Sequence, residues 1–270
     1  MRRLAVIICS LLLTLAAHAQ DASVLLAYVT AGEEVAWTPL LISNCVFWLD
    51  ASNVASIYKS GNSITNITTS PNGFSFVQAT TAYSPRLTNS AISFDGANDF
   101  MRLDLTTYYA SHTVVIVVKR TGTGTAADGY FPPLSYNNTP AVDSGAPFYF
   151  RTDTTFASYP YYYDFGKSGS LDNQAYDDDP RRRHIIIVPV NTVSLSWPVY
   201  VDGESFGPAS AKSWTPALNA DIILGKQYIP SRFCACDIYE VVFYARALST
   251  QEIGLLNNYL ARKWNVTLTP

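Results

Sequence analysis

Apolar residues along most of the chain come in short runs, broken by Gly, Pro, Asn and Ser. Residues 113–118 (TVVIVV) and 185–190 (IIIVPV) are continuous and β-branched, the pattern of strands covered on both faces. Pro189 puts the end of the second near an edge or a bulge. Residues 199–206 (VYVDGESF) carry Asp202-Gly203 between apolar flanks, and that dipeptide suits the positive φ values of a tight hairpin. Further strands are expected at 221–224 and 237–244, and shorter ones at 45–50, 74–77, 91–94, 99–105, 147–152 and 159–165. Many short strands with turn residues between them predict a sandwich or barrel. One segment has a different period. Ser249-Thr250-Gln251-Glu252 reads as a capping box, and Ile253, Leu256, Leu260 and Trp264 follow at helical spacing. Arg262 and Lys263 fall in the last turn of that helix, opposite the negative end of its dipole. Residues 121–146 and 166–183 read as long loops, the second running from Gly166 through Asp177–Asp179 to Arg181–Arg183.

The N-terminus has its own pattern. Arg2 and Arg3 precede an apolar stretch, Leu4–Leu15, and Ala17-His18-Ala19 is a small-x-small cleavage site. This is the layout of a secretory signal peptide, and about 12 apolar residues fall short of the roughly 20 that cross a bilayer. The expected organisation is a signal peptide at 1–19, an N-terminal arm at 20–44 and one domain at 45–270, exported to the cell surface or secreted. No later segment is long and apolar enough to span a membrane.

Composition narrows the function. Of 270 residues 48% are hydrophobic, 14% charged and 13% aromatic, which excludes a disordered chain and a coiled coil. The net charge is −3, and loss of Arg2 and Arg3 makes the mature chain more acidic, so nucleic acid is not an expected partner. Cys9 leaves with the signal, and Cys45, Cys234 and Cys236 remain. An odd number in an exported chain leaves one thiol free or bridged to another chain. Three scattered cysteines with His112 and His184 make no zinc spacing.

Four pieces stand in order along the chain. They are Phe47-Trp48-Leu49-Asp50-Ala51-Ser52, the segment 93–100 (SFDGANDF), Val199-Tyr200-Val201-Asp202-Gly203, and the segment 239–249 (YEVVFYARALS) with its continuation Tyr259-Leu260-Ala261-Arg262-Lys263-Trp264. Together they resemble the laminin-G-like jelly rolls of the concanavalin-A-like lectin/glucanase superfamily over roughly residues 43–268. The resemblance implies an all-β fold, a two-sheet antiparallel jelly-roll sandwich with one C-terminal helix docked on it. It implies that the first and last strands are neighbours, which would bring Cys45 to Cys234 or Cys236 for a disulfide. It makes His184 a packing residue on a strand. Some members hold calcium at the sandwich rim, and Asp95 and Asp99 are the matching carboxylates, although Asp95-Gly96 and Asn98-Asp99 also read as self-capping turn formers.

Catalytic patterns are sparse. Glycan-cleaving enzymes need two converging carboxylates, and the nearest match, Asp237-Ile238-Tyr239-Glu240, puts its two acids on opposite faces of a regular strand. There is no Gly-x-Ser-x-Gly elbow and no lyase signature. Asp177–Asp179 lack the order of a calcium loop and read as a solvated charge run. Aromatics offer more. Tyr159, Tyr161 and Tyr163 share one face of an expected strand, with Tyr162 and Asp164 on the other, and flat rings beside a carboxylate suit a sugar. The expected function is a secreted non-catalytic module that binds a carbohydrate or cell-surface ligand. The alternative is a structural subunit of an extracellular assembly, such as a filament, coat or virion surface, in which the N-terminal arm contacts copies of the same chain. Asn66-Ile67-Thr68, Asn137-Asn138-Thr139 and Asn265-Val266-Thr267 are glycosylation sequons.

Overall fold

The computed structural model describes residues 37–105, 107, 109–122, 124–125, 130–136, 149–151, 162–164, 182–191, 198–206, 221–227 and 232–269, with backbone alone at 130, 149–151 and 162–164. Residues 37–43 contain one 3-10 turn, Pro39–Leu41. Asn44–Pro270 is a compact unit of its own.

Within that unit the strands are, in order, β1 (Cys45–Asp50), β2 (Ile57–Ser60), β3 (Ser63–Thr68), β4 (Ser70–Pro71), β5 (Ser75–Val77), β6 (Arg86–Thr88), β7 (Ala91–Asp95), β8 (Met101–Leu103) and β9 (His112–Arg120). They continue with β10 (Tyr130–Phe131), β11 (Leu134–Tyr136), β12 (Tyr149–Arg151), β13 (Tyr162–Asp164), β14 (Arg183–Val190), β15 (Val199–Val201), β16 (Glu204–Phe206), β17 (Ile222–Leu224) and β18 (Ala235–Tyr244), and a helix α1 (Thr250–Trp264) closes the chain. All pairings among them are antiparallel. The main path runs β11-β17-β8-β5-β3-β6-β7-β18-β9-β14-β15-β16, and β10-β12-β13 form a small separate sheet.

One core cluster takes side chains from both ends of that path, among them Phe76, Met101 and Leu134 from one end and Ile116, Ile186 and Val201 from the other. The path therefore doubles back as two layers over a shared core, the jelly-roll expected from the sequence. Alternation explains the long central strands. Val114, Ile116 and Val118 of β9 enter the core, while Val115 and Val117 are equally buried on the other face. That second face lies under α1, whose buried stripe is Ile253, Leu256, Asn257, Leu260 and Trp264. The capping box forms as expected, with Ser249 accepting from the Glu252 amide and Glu252 accepting from the Ser249 amide. Arg246 also pairs with Glu252, whose carboxyl is held down at about 2 by that guanidinium. The helix is too short to cross a membrane, and among the described residues no other helix is long and apolar enough either.

Turn chemistry was partly visible. Asp202 (φ 50°) and Gly203 (φ 88°) make the expected β15–β16 hairpin. Asn89 (φ 50°) and Ser90 (φ 59°) make a second turn of the same kind between β6 and β7, where no glycine signals it. The stretch 121–146 is not wholly loop. Leu134–Tyr136 pairs with β17 and is fully buried, and Pro132-Pro133 only separates it from Tyr130–Phe131.

The disulfide expectation is corrected. The first and last strands are neighbours, but Cys45 stands opposite Tyr244, whereas Cys236 stands opposite Phe94 and Arg120. Antiparallel register puts the two cysteines at opposite ends of β18, roughly 25 Å apart along the strand. Cys45, Cys234 and Cys236 are all free thiols. Cys234 and Cys236 lie in the core, where burial and the neighbouring Cys234 thiol push Cys236 well up.

Candidate functional site

The last turn of the helix meets the sandwich at a buried carboxylate, Glu240. β18 carries a bulge between Ile238 and Glu240, because Ile238 faces Val118 while Glu240 faces Val117. The extra residue is Tyr239. Ahead of the bulge Ile238 enters the core, and after it Val241 and Phe243 do, so Glu240 points to the helix side. Glu240 is 1% exposed. Its Oε1 accepts from Trp48 Nε1 at 2.7 Å, and its Oε2 accepts from Trp264 Nε1 at 2.6 Å and from Lys263 Nζ at 2.7 Å. Burial raises the Glu240 pKa, and Lys263 opposes that rise. Burial works against the charge on Lys263, but Glu240 and Asp50 outweigh it and hold its pKa above the ordinary lysine value. Lys263 also donates to Asp50 Oδ2 at 2.7 Å and lies over the rings of Trp48, Tyr259 and Trp264 at 5.3, 5.5 and 5.0 Å.

The bulge corrects the reading of Asp237 and Glu240 as residues on opposite strand faces. Asp237 faces Lys119 and Glu240 faces Val117, two apart on β9, so both acids share the helix-side face. They still do not converge, since Asp237 Oδ1 takes the Ser93 hydroxyl at 2.5 Å. Both oxygens of Glu240 accept from protein donors and the residue is 1% exposed, so burial closes it to a ligand, whereas Asp50 stays partly exposed at the surface.

Beside this network lies a cleft of about 320 Å³, lined by Trp48, Asp50, Asn53, Ser56, Tyr58 and Thr68 among others. Its wall follows from alternation in β1. Phe47 and Leu49 enter the core, which turns Trp48 and Asp50 outward. A 3-10 turn, Val54–Ser56, then leads into β2, where Ile57 is buried and Tyr58 is 55% exposed. The indole is held in place through Glu240 and Lys263, while Tyr58 is open to solvent. Asp50 Oδ1 accepts from the Ser52 amide at 2.9 Å and the Ser52 hydroxyl at 2.6 Å. The cleft thus offers two aromatic faces with carboxylate, amide and hydroxyl groups around them. That suits a ligand with apolar C–H faces and many hydroxyls.

The residues expected from the sequence fall elsewhere. Tyr159 and Tyr161 lie outside the described residues. Tyr162, Tyr163 and Asp164 form β13 in the small sheet, and only their backbone is described. Asp95 and Asp99 form the self-capping turn. Asp95 Oδ1 accepts from the amides of Ala97, Asn98 and Asp99 at 2.8, 3.1 and 3.3 Å, and Asp99 Oδ2 accepts from the Asp95 amide at 3.2 Å. Burial and the neighbouring Asp95 raise Asp99 to about 6. His184 is 1% exposed, and its Nδ1 lies 2.8 Å from Asp202 Oδ2. Asp202 in turn accepts from the Ile185 amide at 2.7 Å, so the pair braces the β15–β16 hairpin against β14. Sequence reasoning passed over Trp48 and Tyr58. The signal was the FWLD alternation, which sends an indole and a carboxylate out of the same strand face.

No protein-family model matches the chain, and no curated protein matches it. Solved structures do. Trypanosoma rangeli sialidase in complex with sialic acid aligns at 15% identity over 82% of this chain and 33% of that chain, with a TM-score of 0.56. A mutant of the same sialidase displaying trans-sialidase activity aligns at 14% identity over 84% of this chain and 34% of that chain, with a TM-score of 0.53. A protein named only as a receptor binding domain aligns at 12% identity over 80% and 51% of the two chains, with a TM-score of 0.47. The chain spans about a third of the sialidases' length. The likeness gives the fold, a two-layer antiparallel jelly roll, and nothing finer at these identities.

Proposed function

We propose that the chain is an exported, non-catalytic carbohydrate-binding module of laminin-G-like type, and that its sugar site is the cleft between Trp48 and Tyr58. The observation that carries this is the pairing of a braced indole with an exposed tyrosine over a rim of hydroxyl, amide and carboxylate groups. Rings stack on the C–H faces of a pyranose, while Asp50, Asn53 and Ser56 supply hydrogen bonds to its hydroxyls. The sialidase likeness contributes the fold to this reading, not the ligand. Export rests on the N-terminal pattern, with the mature chain starting at or near Gln20.

The test is a glycan array on residues 20–270, followed by titration of the strongest hit against Tyr58→Ala. Tyr58 contributes no side-chain bond to the fold among the described residues, so its removal isolates binding. We expect affinity to fall by about two- to tenfold, the worth of one ring contact of roughly 0.5–1.5 kcal/mol, with the melting temperature unchanged. Unchanged affinity in Tyr58→Ala would overturn the assignment of this cleft.

A further inference from the structure

A second cleft, about 340 Å³ in volume, lies at the same end of α1, lined by Lys119, Arg182, Arg183, Tyr239, Asn265 and Thr267. Trp264 stands between the two clefts. Its ring meets Tyr239 at 5.2 Å, and its Nε1 shares Glu240 with Trp48. Three cations converge on the second cleft, and no carboxylate lines it among the described residues.

Their partners differ. Arg182 lies 3.1 Å from Asp202 Oδ2, a carboxylate that is itself fully buried, so this charge is balanced from behind. Arg183 is stacked over Tyr239 at 4.6 Å and donates Nη1 to the Trp264 carbonyl at 2.7 Å. That contact caps the helix end and fixes the guanidinium, but a carbonyl leaves its charge uncancelled. Lys119 has no ion-pair partner among the described residues. It stands between Arg183 on β14 and Asp237 on β18, and Asp237, the nearest acid in that row, takes the Ser93 hydroxyl instead. A net-negative protein thus gathers positive charge at one concave point beside its aromatic cleft.

We propose that this second cleft binds an oxyanion, sulfate or carboxylate, carried by the glycan, so that the ligand class is an acidic sugar chain. The proposal rests on the carbohydrate reading of the first cleft. The size of the cationic cluster suits one oxyanion rather than a polyphosphate backbone. Arg183 supplies a fixed planar fork, Lys119 a mobile ammonium, and the Thr267 hydroxyl a neutral polar group at the rim. Asn265 heads a sequon at the mouth, so the protein for the test is made in a host without N-glycosylation.

The experiment uses inorganic sulfate and acetate as probes, with chloride as control, on the chain from residue 20 and on Lys119→Met. The readout is NMR shift changes of the Arg183 and Lys119 signals. Saturable shifts at both residues with sulfate, acetate or both, weakened roughly fivefold or more in Lys119→Met at unchanged melting temperature, support the proposal. Preference for sulfate assigns a sulfate ester, and preference for acetate assigns a uronate-type carboxylate. Shifts absent with both probes, equal with chloride, or unaltered in Lys119→Met overturn it. The Tyr58→Ala titration is independent of these probes. Loss of the oxyanion site leaves the aromatic cleft standing, and failure of Tyr58→Ala leaves the oxyanion site standing without its glycan.

Discussion

Asp50 and Glu240 face each other across the β1–β18 ladder, and a single ammonium, Lys263 Nζ, lies 2.7 Å from a carboxylate oxygen of each. Two acids directly opposite on one sheet face repel, and one of them is buried at 1% exposure. The lysine from the last turn of α1 turns that repulsion into the clamp that docks the helix. The same clamp sets the position of Trp48, so the wall of the aromatic cleft depends on it.

Lys263→Met keeps the stem of the side chain and removes the charge. It should cost about 3–5 kcal/mol at neutral pH, the usual result of stranding a buried partner. Urea midpoints decide it. The loss should shrink as pH falls, because the Glu240 carboxyl, already pushed up by burial, takes a proton more readily without Lys263. Adding Glu240→Gln to Lys263→Met should restore most of the stability. A cost below about 1 kcal/mol, typical of exposed pairs, would mean that the clamp is open to water.

Trp264 contributes packing and a hydrogen bond, and the two can be separated. Trp264→Phe keeps an aromatic ring against Tyr239 but removes the Nε1–H that reaches Glu240. It should cost about 1.5–3 kcal/mol, the range for a bond to a charged group. Trp264→Ala also empties the space under the helix and should cost about 3–5 kcal/mol. Equal losses from both would locate the whole contribution in the hydrogen bond.

Much of this arrangement was legible in the sequence, and the remainder fails for definite reasons. The helix stripe from Ile253 to Trp264 and the Asp202-Gly203 hairpin follow from local period and turn chemistry. The bulge at Tyr239 does not, because an extra residue in a strand leaves no mark in an apolar run such as IYEVVFY. Without it Glu240 appears on the wrong face. The register of Cys45 against Tyr244 is set by contacts some two hundred residues apart, and no local pattern carries it. Trp48 and Tyr58 become a site only when β1 and the turn before β2 are placed side by side.

Two of the groups through which stability should respond to pH work in opposite directions. His112 is fully buried, stacked on Phe243 at 5.2 Å, with Nδ1–H donating to the Tyr109 carbonyl and Nε2 accepting from the Tyr136 hydroxyl. Burial lowers its pKa from 6.5 to about 4, so the unfolded chain takes up a proton before the folded one does. Stability present above about pH 6.5 is lost progressively down to about pH 4, on the order of 3 kcal/mol in all. Asp99, raised from 3.8 to about 6, acts the other way, favouring the fold below pH 3.8 and costing stability as pH rises through 6. Chemical denaturation from pH 4 to 7 should therefore show a shallow net slope in the wild type. Asp99→Asn should steepen the acid loss, and His112→Phe should reverse its sign. A wild-type slope unchanged by both variants would rule out these two groups as its source.

The cysteines give the sharpest test of register. Cys45 sits at the far end of β18 from Cys236, half-buried, with Sγ directed at the Phe47 carbonyl at 3.6 Å and its pKa raised by burial to about 12. Cys234 and Cys236 are inaccessible in the core. The thiolate is the reactive form, so all three should resist alkylation in the native protein at neutral pH. After denaturation without reductant, all three should be alkylated, and peptide mapping should find no linked pair. The Cys45 peptide is the informative one. Linkage of Cys45 to Cys234 or Cys236 within one chain would require a Cα separation under about 7 Å, and so a different pairing of β1 with β18. A Cys45–Cys45 link between chains would leave the register intact and show instead that the β1 end is an edge where copies of the chain meet.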